Sequence, residues 1–300
     1  MKARLVWLIL CGIWGSTWMF IKIGLNDLPP LSFAAIRFVI AAAILWVIVL
    51  FRRLKVPRSR KKLLLLASTG VLGFTVNYGL IFWGEQYISS GLAALLQSTI
   101  PAFGLLLAHL HLPAERMTPA KVVGVVLGVL GVAVIFSNQL SLAGPRAFAG
   151  SVAIVISAAG AAYSNVLIKA YGEKIEPTII AATQMSFGLI PILLVGLIWE
   201  GNPLNFRWTG RALVSLLYLA IVGSVIAFIL YYWLVQHMDV TKSMLIALVT
   251  PVTAVVLGMI VLGEQLDWRT LAGGVLVLSG IALVVIRRQK KAELEFASTG

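Results

Sequence analysis

The apolar positions of this 300-residue chain fall into long unbroken runs, with polar residues gathered in short gaps between them. Ten runs stand out: Leu5–Ile23, Leu31–Phe51, Leu63–Gly84, Ser89–Leu110, Pro119–Phe136, Phe148–Tyr171, Thr178–Trp199, Ala212–Gln236, Val240–Leu262 and Trp268–Ile286. Each is close to the roughly 20 apolar residues that cross a bilayer as a helix. Backbone N–H and C=O groups have no water partner in hydrocarbon, so runs of this length predict helices and not open strands. Several gaps carry turn chemistry, such as Asn26-Asp27-Leu28-Pro29-Pro30 and Gly201-Asn202-Pro203.

Composition agrees with the pattern. Hydrophobic residues make up 60% of the chain and charged residues 12%, with a mean hydropathy of +0.99. A soluble globular domain is nearer 25% charged, so an ordinary soluble enzyme, a disordered chain and a nucleic-acid module are all excluded. The spans leave no room for a separate soluble domain. Lys2 and Arg4 before an apolar run imitate a signal peptide, but no small-residue cleavage site follows. The lone Cys11 rules out an internal disulfide and a thiolate cluster; it reads as a small buried apolar residue.

The net charge of +13 sorts by side. With the N-terminus inside, most basic residues fall in cytoplasmic segments, chiefly the loop 52–62 and the tail 287–291. The opposite side holds only Lys22, Arg146, Arg207, Arg211 and Arg269, and Arg37 lies within a span. Basic residues in short loops favour the cytoplasm, so both termini are expected inside, and the basic loop is not read as a nucleic-acid site.

The strongest feature is an internal repeat. A shift of 150 aligns Gly73 with Gly223, Trp83 with Trp233, Gln86 with Gln236 and Pro101 with Pro251; a shift of 149 aligns Glu115 with Glu264, Gly124 with Gly273 and Gly131 with Gly280. A shift of 147 aligns Ile21-Lys22 with Ile168-Lys169 and Pro30 with Pro177. Five spans per half make the second half enter from the other side. The expected fold is therefore all-α and integral to the membrane: ten transmembrane helices as two inverted five-helix repeats. The first repeat is 1–136, the linker 137–147, the second repeat 148–286 and the cytoplasmic tail 287–300. Secondary transporters often have this architecture, with the substrate near the midplane.

Trp14-Gly15-Ser16-Thr17-Trp18-Met19-Phe20-Ile21-Lys22, Pro29-Pro30 and Ala34-Ala35-Ile36-Arg37-Phe38 resemble the first repeat of EamA-type carriers of the drug/metabolite transporter superfamily. Ser89-Ser90-Gly91-Leu92-Ala93-Ala94-Leu95-Leu96, Pro101, Glu115, Gly124 and Gly131 are similar to later motifs, which return as Pro251, Gly263-Glu264, Gly273 and Gly280. The resemblance covers nearly the whole chain. It implies a carrier moving small organic metabolites, often amino acids or amphiphilic compounds, outward across a bacterial inner membrane. The halves differ at key places: Trp14 faces Ala161, Trp18 faces Asn165 and Arg37 faces Gln184.

Substrate contacts are expected from Trp14, Thr17 and Trp18 of the first span, Asn77 and Tyr78 of the third, Gln97 of the fourth, Tyr163 and Asn165 of the sixth, and Tyr231 and Tyr232 of the eighth. Apolar walls with a few polar groups suit small organic ligands. Pro101 and Pro251 are candidate hinges, because proline leaves the carbonyl four residues earlier without its usual donor. Arg37 reads as a structural residue bonded to helix-end carbonyls or reaching an interface, with carboxylate binding as the second reading. The glycines 124, 128, 131, 273, 274 and 280 read as scaffold or dimer contacts; a homodimer is a further expectation. Glu115 and Glu264 read as helix-start or loop residues.

None of the eleven acidic residues falls in the middle of a span, and His109, His111 and His237 sit at helix ends without metal-ligand spacing. No metal, cofactor or catalytic residue is expected. The missing intramembrane carboxylate points to facilitated diffusion or exchange. It also ranks a multidrug or cationic-compound exporter below a metabolite carrier. An integral-membrane enzyme would need a clustered acid, base, nucleophile or metal set that the sequence does not offer; a channel is disfavoured by an inverted repeat with unlike, bulky cavity residues, and a sugar-nucleotide carrier by having Arg37 as its one cation for phosphates.

Overall fold

A computed structural model describes residues 2–111, 118–138, 144–172, 175–237 and 246–298. Its helices are α1 (Lys2–Gly24), α2 (Pro30–Phe51), α3 (Arg60–Glu85), α4 (Ser90–His111), α5 (Pro119–Asn138), α6 (Gly144–Tyr171), α7 (Pro177–Trp199), α8 (210–237), α9 (Ile246–Leu262) and α10 (Trp268–Ser298). No strand occurs among the described residues. Eight helices are long and apolar enough to cross a membrane, and Ile246–Leu262 and Trp268–Leu283 are shorter apolar helices. The protein is a multi-span membrane protein.

Three departures from the sequence reading have physical causes. Helix α4 is not a continuous rod kinked at Pro101. It ends at Gln97, turns through Ser98 and Thr99, and restarts at Ile100. Pro101 thus sits in the first turn of the second segment, where a missing N–H costs nothing. Its repeat mate Pro251 lies inside unbroken α9. Helices α3 and α8 each contain a π-helical stretch, Val71–Val76 and Tyr218–Ile226, with Gly73 and Gly223 inside them; such bulges re-aim the side chains that follow. The basic tail after Ile286 is helical to Ser298, because its Lys, Ala, Glu and Leu are good helix formers with no breaker among them.

The most extensive packing pairs obey one rule. Helix α2 lies on α7, α5 on α10 and α4 on α9; α1–α9 is matched by α6–α4, α3–α6 by α8–α1, and α3–α7 by α8–α2. Replacing each helix number n by n + 5, taken cyclically, leaves this set unchanged. The main core is built from α1 to α4 and α6 to α8, around Phe33, Phe38, Phe82, Leu96, Ile154, Ile179 and Met185. A smaller cluster joins Leu10 and Cys11 to Ala227, Leu234 and Ile246. Gly124 and Gly131 of α5 face Gly280 and Gly273 of α10 within one chain, while Gly128 and Gly274 pack on Ala102 and Leu95 of α4. A Cβ on Gly131 would lie 2.5 Å from the Gly273 carbonyl, and one on Gly280 would strike the Gly124 carbonyl. They are scaffold contacts.

Helix α10 opens on an Asp267 cap. Its Oδ1 accepts from the amides of Arg269 (2.8 Å) and Thr270 (3.1 Å), and the Thr270 hydroxyl donates to Oδ2 (2.6 Å). Burial by itself would push this carboxyl up, but the bonds from Thr270 and Arg269 outweigh it and hold it below the ordinary carboxylate range. With a depressed folded pKa, the cap's stabilisation is present above the unfolded value and lost as pH falls through the folded one. Asp267→Ala should cost about 1 kcal/mol and flatten that acid limb. Thermal unfolding against pH in detergent checks both; an unchanged acid limb would refute the assignment.

Candidate functional site: a polar and aromatic belt around Arg37

The expected site residues separate into two adjoining groups. On α1 and α8, the Trp14 ring lies 5.3 Å from Tyr231 and 6.4 Å from Phe228. Thr17 is buried and donates to the Trp14 carbonyl at 2.7 Å. Trp18 packs half-buried on the main core. Across the bundle, Gln97 Nε2 donates to Asn77 Oδ1 (2.8 Å) while Ser157 Oγ of α6 donates to Gln97 Oε1 (2.8 Å). This buried chain fixes α3, α4 and α6 together. Asn77 also donates to the Gly73 carbonyl inside the π segment (3.3 Å). Tyr163 meets the His111 ring at 5.4 Å, nearer the end where α4 finishes, and Asn165 is exposed on α6. The side chain of Tyr232 lies outside the described residues, as do Glu115 and the side chain of His237.

Arg37 links the two groups, and its structural reading is corrected. It reaches neither a helix-end carbonyl nor an interface. Only 2% of the residue is exposed. Its Nε donates to Ser224 Oγ of α8 (3.2 Å), whose hydroxyl in turn donates to the Leu219 carbonyl across the π segment. Its guanidinium lies 5.1 Å from the Tyr78 ring centroid, 5.2 Å from Phe38 and 6.0 Å from Phe82. Its Nη1 is buried without a hydrogen-bond partner. Among the described residues no carboxylate lies within ion-pair distance. Aromatic faces attract a guanidinium but leave its in-plane N–H donors unanswered. Its repeat mate Gln184, by comparison, has a partner: its Nε2 donates to Thr69 Oγ1 of α3 at 2.8 Å. The lopsidedness expected between the halves therefore takes the form of one cation.

The bundle end away from the N-terminus is closed by contacts the sequence did not point to. Glu200, after α7, accepts from the amides of Leu31 and Ser32 (2.9 and 2.7 Å) at the start of α2. Glu264, after α9, accepts from the Ser90 amide (2.7 Å), the Ser90 hydroxyl (2.9 Å) and the Gly91 amide (3.2 Å) at the start of α4. Carboxylates suit exposed amides at a helix N-terminus. Asp27 accepts from the Thr209 hydroxyl (2.6 Å), with Arg207 and Arg211 at 3.5 and 3.8 Å. Lys22 holds the carbonyls of Glu85 and Ile88 at 2.6 Å each. At the other end, Arg52 pairs with Glu176 at 3.5 Å on a largely exposed surface. An open groove of about 500 Å³ there, lined by Arg60, Lys61, Leu63, Leu64, Ala67 and Phe187, does not reach the belt residues.

Glu85 is at a span end, as the sequence places it, but it is completely buried, with both carboxylate oxygens unpartnered. Its place at a span end hid it, because hydropathy reports depth along a helix and not cover by neighbouring helices.

Comparisons fit this architecture. The profile of the EamA-like transporter family matches residues 1–137 and 148–286. An uncharacterized transporter of Archaeoglobus fulgidus is 31% identical over 292 residues, which is 96% of this chain and all of that one. The uncharacterized inner membrane transporter YedA of Escherichia coli K12 is 31% identical, over 91% of this chain and 87% of its own. The uncharacterized transporter YoaV of Bacillus subtilis is 28% identical, over 90% and 91%. One crystal structure superposes with a TM-score of 0.68 over 96% of this chain and 98% of its own, at 19% identity, which shows the shared fold. The relatives carry the names of transporters and not of enzymes. With a family match over both halves of the sequence and relatives aligned nearly end to end, the chain belongs to the EamA-like transporter family.

Proposed function

We propose that this protein is a secondary transporter of small organic metabolites that bear a carboxylate, such as amino acids and amphiphilic acids. It has two inverted five-helix repeats, with both termini on the cytoplasmic side of a bacterial inner membrane. The belt around Arg37 binds substrate and opens alternately to each side. The observation that carries the reading is the buried guanidinium of Arg37, with no carboxylate within ion-pair distance among the described residues and an unpartnered donor between aromatic walls. A buried charge without a partner is strongly disfavoured, and a bound carboxylate would satisfy it with the fork geometry that Arg favours. The n to n + 5 packing rule and the two stretches matched by one family profile support the repeat. Basic loops support the orientation. The break at Ser98–Thr99 supports a hinge before Pro101, with Pro251 as its less distorted counterpart. A cationic-compound exporter fits less well, because the charge inside the belt is positive.

The test is efflux from proteoliposomes loaded with radiolabelled amino acids, amphiphilic acids and quaternary ammonium compounds. Carboxylates should move and quaternary ammonium compounds should not; the reverse result ends the proposal. In the same assay Gln97→Ala should slow transport. It should also cost about 1–3 kcal/mol, because Asn77 and Ser157 lose a buried partner. Trp18→Ala should slow transport without preventing membrane insertion. Normal transport by both variants would remove them from the site.

A further inference from the structure

At the closed end of the bundle the ionisable side chains are unevenly satisfied. Lys22 directs its ammonium at three main-chain carbonyls, those of Glu85, Ile88 and, at 3.4 Å, Gln86. Glu264 has both oxygens on the start of α4. Glu85 is fully buried: its exposure is 0%, and neither carboxylate oxygen has a hydrogen-bond partner among the described residues. Lys22 and Glu264 are the charged groups that face it, and their influences oppose each other. Of the other helices packed on this part of α3, α2 directs Arg37 toward Ser224, and α6 brings Arg146 to this end on its exposed surface. The buried first segment of α4, Ser90–Gln97, has no ionisable residue.

An ionised carboxylate in such a place would lack every hydrogen bond it has in water, a penalty that a cation outside ion-pair distance does not repay. The neutral, protonated acid is the form this packing accommodates. The same closure creates the condition. Lys22 of α1 holds the chain at 85–88, and parting α1 from the end of α3 admits water to the carboxyl. We propose that Glu85 is a proton-binding site, loaded when this end of the bundle closes and emptied when it opens. By linkage, a proton bound only in the closed form favours closure. Acid on this side therefore holds the end shut, and alkali lets it open. This rests on alternating access only in requiring that the end opens. It does not depend on what the belt binds.

Two measurements on the purified full-length protein in lipid test the site, and neither needs a substrate. Infrared spectra near neutral pH should show a carboxylic-acid C=O band that disappears in Glu85→Gln; a wild type without that band overturns the proposal. Nitroxides on Leu204→Cys and Gln265→Cys, both exposed at this end, in a Cys11→Ala background, report opening by pulsed EPR. The longer-distance population should grow several-fold between about pH 5 and about pH 8. That growth should be lost in Glu85→Gln and in Glu85→Leu. Because Glu85 has no donor to lose, both variants should fold. An equal pH response in wild type and variants, or none in any, overturns the linkage. A wrong substrate assignment would leave both readouts intact, so the two proposals fail separately.

Discussion

Arg37→Gln is expected to lower carboxylate transport at least about 30-fold while leaving the protein as stable as the wild type or more so. The size follows from losing one partner of a buried charged contact, worth about 2–5 kcal/mol, at 1.4 kcal/mol per tenfold. The stability follows from the surroundings of the side chain. Arg37 makes one side-chain bond, to Ser224, and leaves Nη1 unpartnered, so removing the charge relieves a desolvated cation with no anion beside it among the described residues. Arg37→Lys should not rescue transport. An ammonium keeps the charge but lacks the planar fork that takes both oxygens of a carboxylate and stacks against Tyr78. Proteoliposome efflux and thermal unfolding, measured on the same preparations, decide the matter. Transport at wild-type rate with Gln would show that the belt does not use Arg37. A collapse in melting temperature with unchanged transport per folded molecule would make the residue structural.

Gly273→Val should prevent normal assembly of α5 on α10. A Cβ at Gly273 would stand 2.5 Å from the Gly131 carbonyl and 2.7 Å from Ile135 Cγ1; one at Gly131 meets the Gly273 carbonyl in return. Backbone oxygen cannot rotate away as a side-chain tip can, so the helices must separate. Overpacking of this kind costs about 1–3 kcal/mol or more, and branching at Cβ adds to it. The comparison is with glycines in open space. Gly12 and Gly104 have nothing within 4 Å of an added Cβ. Ala at either should be neutral or stabilise by up to about 1 kcal/mol, through helix propensity alone. The monodisperse fraction after heating in detergent reads both. Equal behaviour of Gly273→Val and Gly12→Ala would mean that the close approach does not hold the pair together.

These two cases show how differently residues announce themselves. The glycines were legible as close-packing surfaces from spacing, because small residues recurring along apolar helices have few other uses in a membrane. Whether they served this chain or a second copy was not legible, since spacing contains no partner. Trp14 and Tyr231 were both nominated from residue type, and the fold brings them together. So were Asn77 and Gln97. Asn165 was nominated on the same grounds and is exposed on α6. Pro101 was found, but the helix break before it was not; a missing donor four residues downstream does not say how the chain will turn.

Spans and the identity of the family were determined by the sequence alone. Bilayer thickness sets how long an apolar run must be, and that is a property read along one dimension. Partners belong to the fold. Lys22 grips the chain 63 residues away, Glu264 caps a helix start 174 residues earlier, and Arg37 reaches Ser224 across 187. Each pairing depends on which helices lie side by side. Arg37 and Glu85 are distinguished by bonds they do not make. The sequence placed Arg37 within a span, but a missing partner is defined by everything packed around a group, so only the tertiary structure could show that Arg37 and Glu85 lack one.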